Sequence, residues 1–462
     1  MSLLYAACIP QLTKKNVNKD VPATYSNNST DTTNSAKIKW NEFFTDSNLV
    51  DLIGTAVQNN QALNIILQDI NIANYQVKAR KGQYLPFLNL FAGAGAEKVG
   101  RYTRNGASDA TDDIKPGTPT PTVLPDYLLS ANLSWELDVW KQLRNAKKAA
   151  VYRYFATTAG KNFAVTLLVA EVAKNYYELV TLDNQLDILK ANIAIQTNAL
   201  KMVQLEKEAG VVTELAVRRF EAEVLKNQSR QFYIQQKIVE TENRINFLLG
   251  RYPQAIKRNS QAFNNLVPTV IYSGIPSQLL ANRPDIIQSE QSLLAANMDV
   301  KSAKANFYPR FRITAGVGYE AFNPGFLLTT PESMLWNAAG NAVAPLINRN
   351  AIAAEYKSAN AKQLQAIYDY ERTVLNAYVE VSNQVSNIDN LQKSYNLKSG
   401  QVNALTRSVD ASIYLFKSAQ ADYTEVLLIQ RDALESKMEL VETKKQQFNA
   451  VINIYQALGG GW

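Results

Sequence analysis

Apolar and polar residues follow two different periods along this chain, and the period changes at corresponding places in both halves. Over residues 141–208, apolar residues recur at intervals of three, four or seven. This spacing predicts one α-helix on the order of 100 Å long at about 1.5 Å per residue. After a break at Gly210, a heptad pattern predicts a second helix over 217–248. Together they indicate an antiparallel helical hairpin with its tip near residues 209–213.

A second hairpin repeats this design near the C-terminus. Residues 350–417 and 424–456 both show helical periodicity, and the tract 418–423 interrupts them. The tip sequences Thr213–Leu215 and Thr424–Val426 are similar, which predicts that they are equivalent. This pairing places Leu428, Arg431 and Asp432 opposite Val217, Phe220 and Glu221. The two tips therefore differ at these positions.

Ahead of each hairpin the period falls to two, which is typical of strands with one apolar and one polar face. Two strands are predicted in each half around a turn-rich loop: 86–96 and 127–139 around loop 97–126, and 311–321 and 334–346 around loop 322–333. Strands of roughly 10–12 residues with aromatic residues near their ends match membrane-spanning β-strands. Ordinary soluble hairpins are the alternative. Because an open sheet edge is not tolerated in lipid, the membrane interpretation requires several chains to close a barrel.

The two halves are also related in sequence. Residues 59–95 align with residues 282–318 without a gap, and 11 of the 37 positions are identical, among them Asn59 and Asn282. One structural unit therefore occurs twice. The predicted domains are an N-terminal lipid anchor and tether (1–40), a first repeat of helix, two strands and hairpin (41–254), and an equatorial segment with the second repeat (255–462).

The composition excludes several kinds of site. The chain has no histidine and a single cysteine, Cys8, so neither an intrachain disulfide nor the usual zinc sites can form. Since histidine is also the commonest general base, we expect no enzyme, no cofactor and no metal. The net charge of +7 is spread along helices without long basic runs, which argues against nucleic acid. The chain contains no run of 18 apolar residues, so the sequence predicts no transmembrane helix.

The N-terminus resembles the end of a lipoprotein signal, in which small residues precede a lipid-modified cysteine. Residues 3–7 lead to Cys8, although Tyr5 is unusual there and the basic and most of the apolar signal segments are missing. We expect the chain to begin inside such a signal, with Cys8 as the lipidation site. An incidental small hydrophobe at this position is the alternative. Residues 9–39 are polar, which predicts a disordered tether.

Three stretches match one protein family. Residues 275–309 contain Arg283, Pro284 and Asp285 in succession and end in an aromatic residue followed by proline. Residues 423–434 read YTEVLLIQRDAL, and the chain ends YQALGGGW. With these motifs the chain resembles the outer-membrane factors, the TolC-like exit ducts of Gram-negative tripartite efflux systems, in their NodT-type lipoprotein branch. The resemblance covers nearly all of residues 40–462.

The resemblance implies a membrane α+β fold, with four strands per chain in a trimeric twelve-stranded β-barrel. A long α-helical periplasmic barrel would continue it, and a belt would be formed by the tether, residues 251–275 and the C-terminal end. The implied partners are two further copies, outer-membrane lipid, a periplasmic adaptor and an inner-membrane pump. The implied function is passive efflux of drugs or other toxic compounds. An exit duct for type I protein secretion and a soluble coiled-coil scaffold are the alternatives.

The resemblance also indicates a periplasmic gate near the second tip, and the difference between the two tips favours the second hairpin as the part of the gate that moves. Related channels carry an aspartate and an arginine there; Arg431 matches the arginine, but Leu428 occupies the aspartate position. Asp432 or Glu425 would then supply the carboxylate, or a ring of Leu428 side chains would close the pore by dewetting. The alternative for Arg431 is an ordinary exposed charge on a helix.

The adaptor contacts implied by the resemblance lie at the two hairpin tips. They are Gly210, Val211 and Thr213 on the first hairpin and Ala421, Tyr423 and Thr424 on the second. Small residues there permit close contact between helix tips. Helix-ending turns without a binding role are the alternative.

Overall fold

The structure is a computed structural model that describes residues 9–25, 31–261, 263–345, 347, 349–418 and 420–462. The predicted lipidation site Cys8 lies outside the described residues. The helices are α1 (Trp40–Phe43), α2 (Ser47–Asn59), α3 (Gln61–Tyr84), α4 (Arg104–Asp109), α5 (Gln142–Glu208), α6 (Glu214–Leu248), α7 (Leu279–Asn282), α8 (Pro284–Ala305), α9 (Asn350–Lys417) and α10 (Tyr423–Ala457). The strands are β1 (Phe87–Glu97), β2 (Asp113–Lys115), β3 (Thr118–Pro119), β4 (Leu124–Leu137), β5 (Arg310–Ala321) and β6 (Met334–Val343).

Both predicted hairpins are present, α5 with α6 and α9 with α10, and their ends agree closely with the sequence patterns. The first break is at Gly210, whose φ of 74° lies in the left-handed region that glycine adopts without strain. The amides of Gly210 and Val211 donate to the carbonyls of Lys207 (2.9 Å) and Glu206 (2.8 Å), which caps the end of α5.

The four predicted strands form one antiparallel sheet in the order β1-β4-β5-β6. Its register separates the two faces: one cross-strand row is Leu90, Ala131, Val317 and Trp336, and the adjacent row is Asn89, Asn132, Gly316 and Asn337. On the apolar face Leu90 is 81% and Trp336 74% exposed. On the polar face the small residues Ser130, Gly316 and Gly318 are buried, whereas Asn89, Asn132 and Asn337 are exposed. The sheet therefore exposes its apolar side.

The loop between β1 and β4 is more regular than its turn-rich sequence predicts. It contains the short helix α4, capped by the Thr103 hydroxyl, which accepts from the Gly106 amide at 3.1 Å. It also contains the small hairpin β2–β3, whose turn uses Gly117 at a φ of 76°. Elements this short have too few residues to show a period, so the sequence pattern missed them.

The chain divides into two compact units. The first, with residues up to 16, 71–154 and 291–367, contains the four-stranded sheet. The second comprises residues 17–70, 155–290 and 368–462 and holds the main hydrophobic core, in which Leu49, Ile53, Leu179, Ile245 and Leu249 are fully buried. None of the helices in the described residues combines the length and apolar composition needed to cross a bilayer.

The N-terminal segment is not disordered where the structure describes it, so that prediction is wrong for these residues. In the second unit Lys19 forms an ion pair with Glu290 (2.7 Å) and lies over the Tyr370 ring (5.7 Å). Tyr25 is 2% exposed and stacks on Tyr378 at 5.7 Å between ring centroids. A few aromatic and charged contacts therefore hold residues 17–25, which we call the polar strap, in place. Composition alone predicts this segment to be disordered.

The three segments that the resemblance assigned to a belt contact one another in the second unit. The Tyr272 amide donates to the Ser35 hydroxyl at 3.0 Å, and Asn34 forms a β-bridge with Ser273. The Tyr455 hydroxyl near the C-terminus donates to the carbonyl of Ile38 in the tether. Local periodicity carries no signal for such contacts between irregular segments.

Candidate functional site

The tips of the two hairpins pack against each other in the second unit. Val203 of α5 and Val217 and Phe220 of α6 are buried in one small apolar cluster. Phe416 of α9 and Tyr423 of α10 are partly buried against the same cluster. The cluster couples both hairpin ends, so a movement of one tip must repack residues of the other.

The first tip presents the predicted contact residues to solvent. Gly210 and Thr213 are exposed, and Val211 is 71% exposed. Beside them, Arg218 bonds to Glu214 and Glu221, both at 2.8 Å, and Lys207 pairs with Glu214. The hydrogen bond from Lys207 is the largest cause that lowers the pKa of Glu214, so this tip carries a charged ladder at neutral pH. Sequence reasoning missed the ladder, although its spacing of three and four residues signals helical ion pairs.

The second tip is less exposed than the first. Ala421, Tyr423 and Thr424 are each partly buried. Asp422 is the N-cap of α10, and its carboxylate accepts from the Thr424 amide at 3.4 Å. Asp422 was not among the predicted site residues, yet an aspartate directly before a helical pattern is a recognisable N-cap signal.

All four predicted gate residues lie on the exposed side of α10. Leu428 is 44% exposed, and the adjacent side chains of Arg431 and Asp432 form an exposed ion pair at 3.3 Å. Glu425 lies one turn before Leu428 and is also exposed. The opposite side of the helix is buried through Val426, Gln430, Ala433 and Leu434. The structure thus brings one cation, two carboxylates and one apolar side chain to a single stripe.

The structure corrects the alignment of the two tips. Helices α6 and α10 both have 35 residues. Three structural landmarks are each 209 residues apart: the N-caps Thr213 and Asp422, the helix ends Leu248 and Ala457, and the positive-φ residues Gly250 and Gly459. The sequence pairing used a separation of 211 and is therefore wrong by two residues. Leu428, Arg431 and Asp432 stand opposite Arg219, Ala222 and Glu223 instead of Val217, Phe220 and Glu221.

The most specific motifs of the sequence meet at a buried arginine. Arg283 is 4% exposed and binds Asp285 through two hydrogen bonds, of 2.6 and 3.0 Å. It also donates to Glu380 at 2.6 Å and to the carbonyl of Ala457, the last residue of α10, at 2.8 Å. Burial alone would lower the pKa of Arg283, but the bonds to Asp285 and Glu380 outweigh it and raise the pKa. We call these four residues the arginine node.

The first repeat contains a neutral version of this node. The Asn60 side chain donates to the carbonyl of Leu248, the last residue of α6, at 2.9 Å. Asn60 and Arg283 are 223 residues apart, the same separation as the aligned repeats. In both repeats the glycine after the helix leaves no room for a side chain: a Cβ on Gly250 or Gly459 would lie 2.5 Å from the carbonyl of Asn59 or Asn282, respectively.

The architecture agrees with comparisons with known proteins. A family model described as outer membrane efflux protein matches residues 52–251 and 275–460, which correspond to the two repeats. The solvent efflux pump outer membrane protein SrpC of Pseudomonas putida is 26% identical over 425 residues, which cover 92% of this chain and 87% of SrpC.

Two further matches are a relative named as a lipoprotein and a solved structure of the same fold. The probable outer membrane lipoprotein SilC of Salmonella typhimurium is 25% identical over 424 residues, 92% of this chain and 88% of SilC. The crystal structure of the outer membrane channel CmeC of Campylobacter jejuni superposes with a TM-score of 0.86 at 19% identity, and the match covers 98% of this chain and 94% of CmeC. The two chains therefore share a fold.

Proposed function

This chain belongs to the outer membrane efflux protein family, and we propose that it works as a passive exit duct for small molecules. The observation that carries this proposal is the sheet β1-β4-β5-β6, whose apolar face, with Leu90 and Trp336, is exposed. A water-soluble sheet buries its apolar side, whereas membrane strands place it against lipid. Passive flow requires no catalytic residues, so we infer that the chain is not an enzyme and that its partners supply the energy.

Closure of the sheet needs further copies of the chain. In the part of the chain that the structure describes, β1 and β6 each have one hydrogen-bonded neighbour, so the sheet has two open edges. Pairing of β6 in one copy with β1 in the next removes both edges, and three copies give twelve strands. The row of Asn89, Asn132 and Asn337 would then line the lumen, while Leu90 and Trp336 would face lipid.

The duct is tested by its assembly and its conductance. We expect the detergent-solubilised protein to have the mass of three chains and to produce discrete single-channel currents in planar lipid bilayers. The matched control is the same preparation after heat dissociation, which should give no currents. A monodisperse monomer that stays in solution without detergent would contradict the proposal.

The gate is assigned to the second hairpin on the basis of its exposed stripe. Leu428, Arg431, Asp432 and Glu425 all project from one side of α10, where a neighbouring chain or the lumen can face them. An ionic constriction would use Arg431 with a carboxylate, and an apolar one would use Leu428. If the gate is ionic, Arg431→Ala raises the conductance and Leu428→Ser has little effect; the reverse result identifies an apolar gate. No change with either variant would exclude this stripe as the constriction.

The hairpin tips are proposed as the contact surface for a periplasmic adaptor, which in turn couples the duct to an inner-membrane pump. Support comes from the exposure of Val211 and Thr213 beside the charged ladder, and from the shared cluster under both tips. Val211→Asp would weaken co-purification of the cognate adaptor without changing trimer mass. Unchanged co-purification, with Thr424→Asp equally silent, would remove the tips from the interface.

We also propose a lipid anchor and a class of cargo, both on the basis of what the relatives are named for. The SilC relative is named a probable lipoprotein, which supports lipidation at Cys8; mass spectrometry of the mature protein would detect the added acyl chains. The SrpC relative is named for solvents, which supports small apolar compounds as cargo here. Deletion of the gene should increase accumulation of such compounds in the cell. A selective loss of a secreted protein instead would favour the type I secretion alternative.

A further inference from the structure

A small cavity lies between the two hairpins, a few turns from the tips. It has a volume of about 200 Å³, and two of its lining residues on α5, Ile195 and Asn198, are exposed. Phe220 and Val426 are buried residues of its wall, contributed by α6 and α10. All four long helices therefore contribute to it, and none of the described residues that line it is ionisable.

One polar group is buried in the wall of this cavity without a partner. Gln430 is 1% exposed, and neither its amide nitrogen nor its amide oxygen has a hydrogen-bond partner in the part of the chain that the structure describes. Buried amides are paired in the great majority of cases, because an unpaired donor or acceptor loses its hydration without compensation. Another glutamine of the same helix shows the usual situation: Gln447 is also buried but donates to the side chain of Gln392 at 3.1 Å.

We propose that this cavity is a binding site for a small uncharged amphiphile whose polar group both donates and accepts a hydrogen bond at Gln430. The size fits, since an apolar cavity of about 150 Å³ in another protein holds benzene. The lining fits an apolar ring or short chain, and it disfavours an ion, which would lose its hydration without a counter-charge. A carboxamide matches both atoms of the glutamine amide. An occupant touches both hairpins, so it stabilises their packing.

The test uses two probes of similar size on the purified, detergent-solubilised full-length protein. Benzamide offers the ring and the matching amide, and toluene offers the ring alone. Saturable thermal stabilisation and ligand-observed NMR measure binding. We expect benzamide to bind wild-type protein at least tenfold more tightly than toluene, the affinity ratio that corresponds to about 1.4 kcal/mol.

Three variants assign the binding to the cavity. Gln430→Leu keeps the size of the side chain and should weaken benzamide at least tenfold while leaving toluene within about twofold. Ala199→Phe fills the cavity, which Ala199 lines, and should remove both probes. Gln447→Leu is the matched control and should leave the relative affinity of the two probes unchanged. Circular dichroism checks that each variant is folded; should Ala199→Phe not fold, Ala199→Leu takes its place.

Two results would overturn the proposal. One is the absence of saturable benzamide binding to the wild-type protein, for example because a neighbouring chain fills the cavity. The other is benzamide affinity that does not respond to Gln430→Leu. Neither result depends on conductance, so the binding site and the duct can succeed or fail separately.

Discussion

Replacement of Arg283 by methionine tests the interpretation of the arginine node. Methionine approximates the length of the side chain but removes the charge and every donor. The carboxylates of Asp285 and Glu380 then lose their counter-ion, and the Ala457 carbonyl loses a hydrogen bond. Removal of one partner from a buried ion pair costs about 3–5 kcal/mol. Because Glu380 is partly exposed and can regain water, we expect the lower end of this range, about 3 kcal/mol.

The loss should be local, because the node holds the end of α10 and the glycine-rich C-terminus. Hydrogen exchange of the peptide 455–462, followed by mass spectrometry on the folded protein, measures the opening of this segment. A destabilisation of about 3 kcal/mol corresponds to roughly a hundredfold faster exchange. Arg283→Lys keeps the charge but not the two-pronged geometry, so it should fall between wild type and Arg283→Met.

The first repeat provides the matched control. Asn60→Ala removes the neutral hydrogen bond to the end of α6 and also the one that the Asn60 side chain accepts from the Leu63 amide at 3.1 Å. Each is worth about 1 kcal/mol, so exchange should accelerate near Leu248 and at the start of α3 but not at 455–462. If Arg283→Met changes exchange at 455–462 by less than about fivefold, the node does not hold the C-terminus. The reasoning is also refuted if the protection of distant helices falls by the same factor, since the effect would then be global.

Three further predictions concern separate parts of the molecule. Gly459→Ala should destabilise the protein by more than about 2 kcal/mol, since φ is 90° and the new Cβ would lie 2.5 Å from a carbonyl, whereas Gly400→Ala, in open space within α9, should be neutral or stabilising in thermal unfolding. Leu90→Arg should lower the yield of trimers on mild-detergent gels, because an arginine that faces lipid near the bilayer centre costs about 2–4 kcal/mol. Asn89→Arg should leave trimers intact and change only conductance. Burial lowers the pKa of Lys444 from its usual 10.5, although its ammonium lies over the rings of Tyr395 (4.9 Å) and Phe448 (5.9 Å). The stability of Lys444→Met relative to wild type should therefore fall as the pH rises from the lowered pKa towards 10.5, because the wild-type lysine loses its charge there. A stability difference that stays constant over this pH range would contradict this last expectation.

The sequence by itself determined the long helices and the four strands of the main sheet, and their arrangement in two repeats. In long helices and two-sided strands, such as α5 and β4, the spacing of apolar residues shows the period directly. This is because residues on the same face lie a fixed number of positions apart. The gap-free repeat likewise aligned Asn59 with Asn282. In the structure the backbone carbonyls of both residues lie close against a glycine. Resemblance of the motifs then led to the family.

Only the tertiary structure decided what depends on contacts between distant segments. It placed Arg283 on the end of α10, ordered the polar strap through Tyr25 and Lys19, and shifted the tip alignment by two residues. Which residues of the two hairpins are equivalent is determined by the helix lengths and caps. The short sequence similarity at the two tips does not determine it. It also revealed Gln430 as an unpaired amide, since pairing is a property of neighbours that a one-dimensional pattern does not contain.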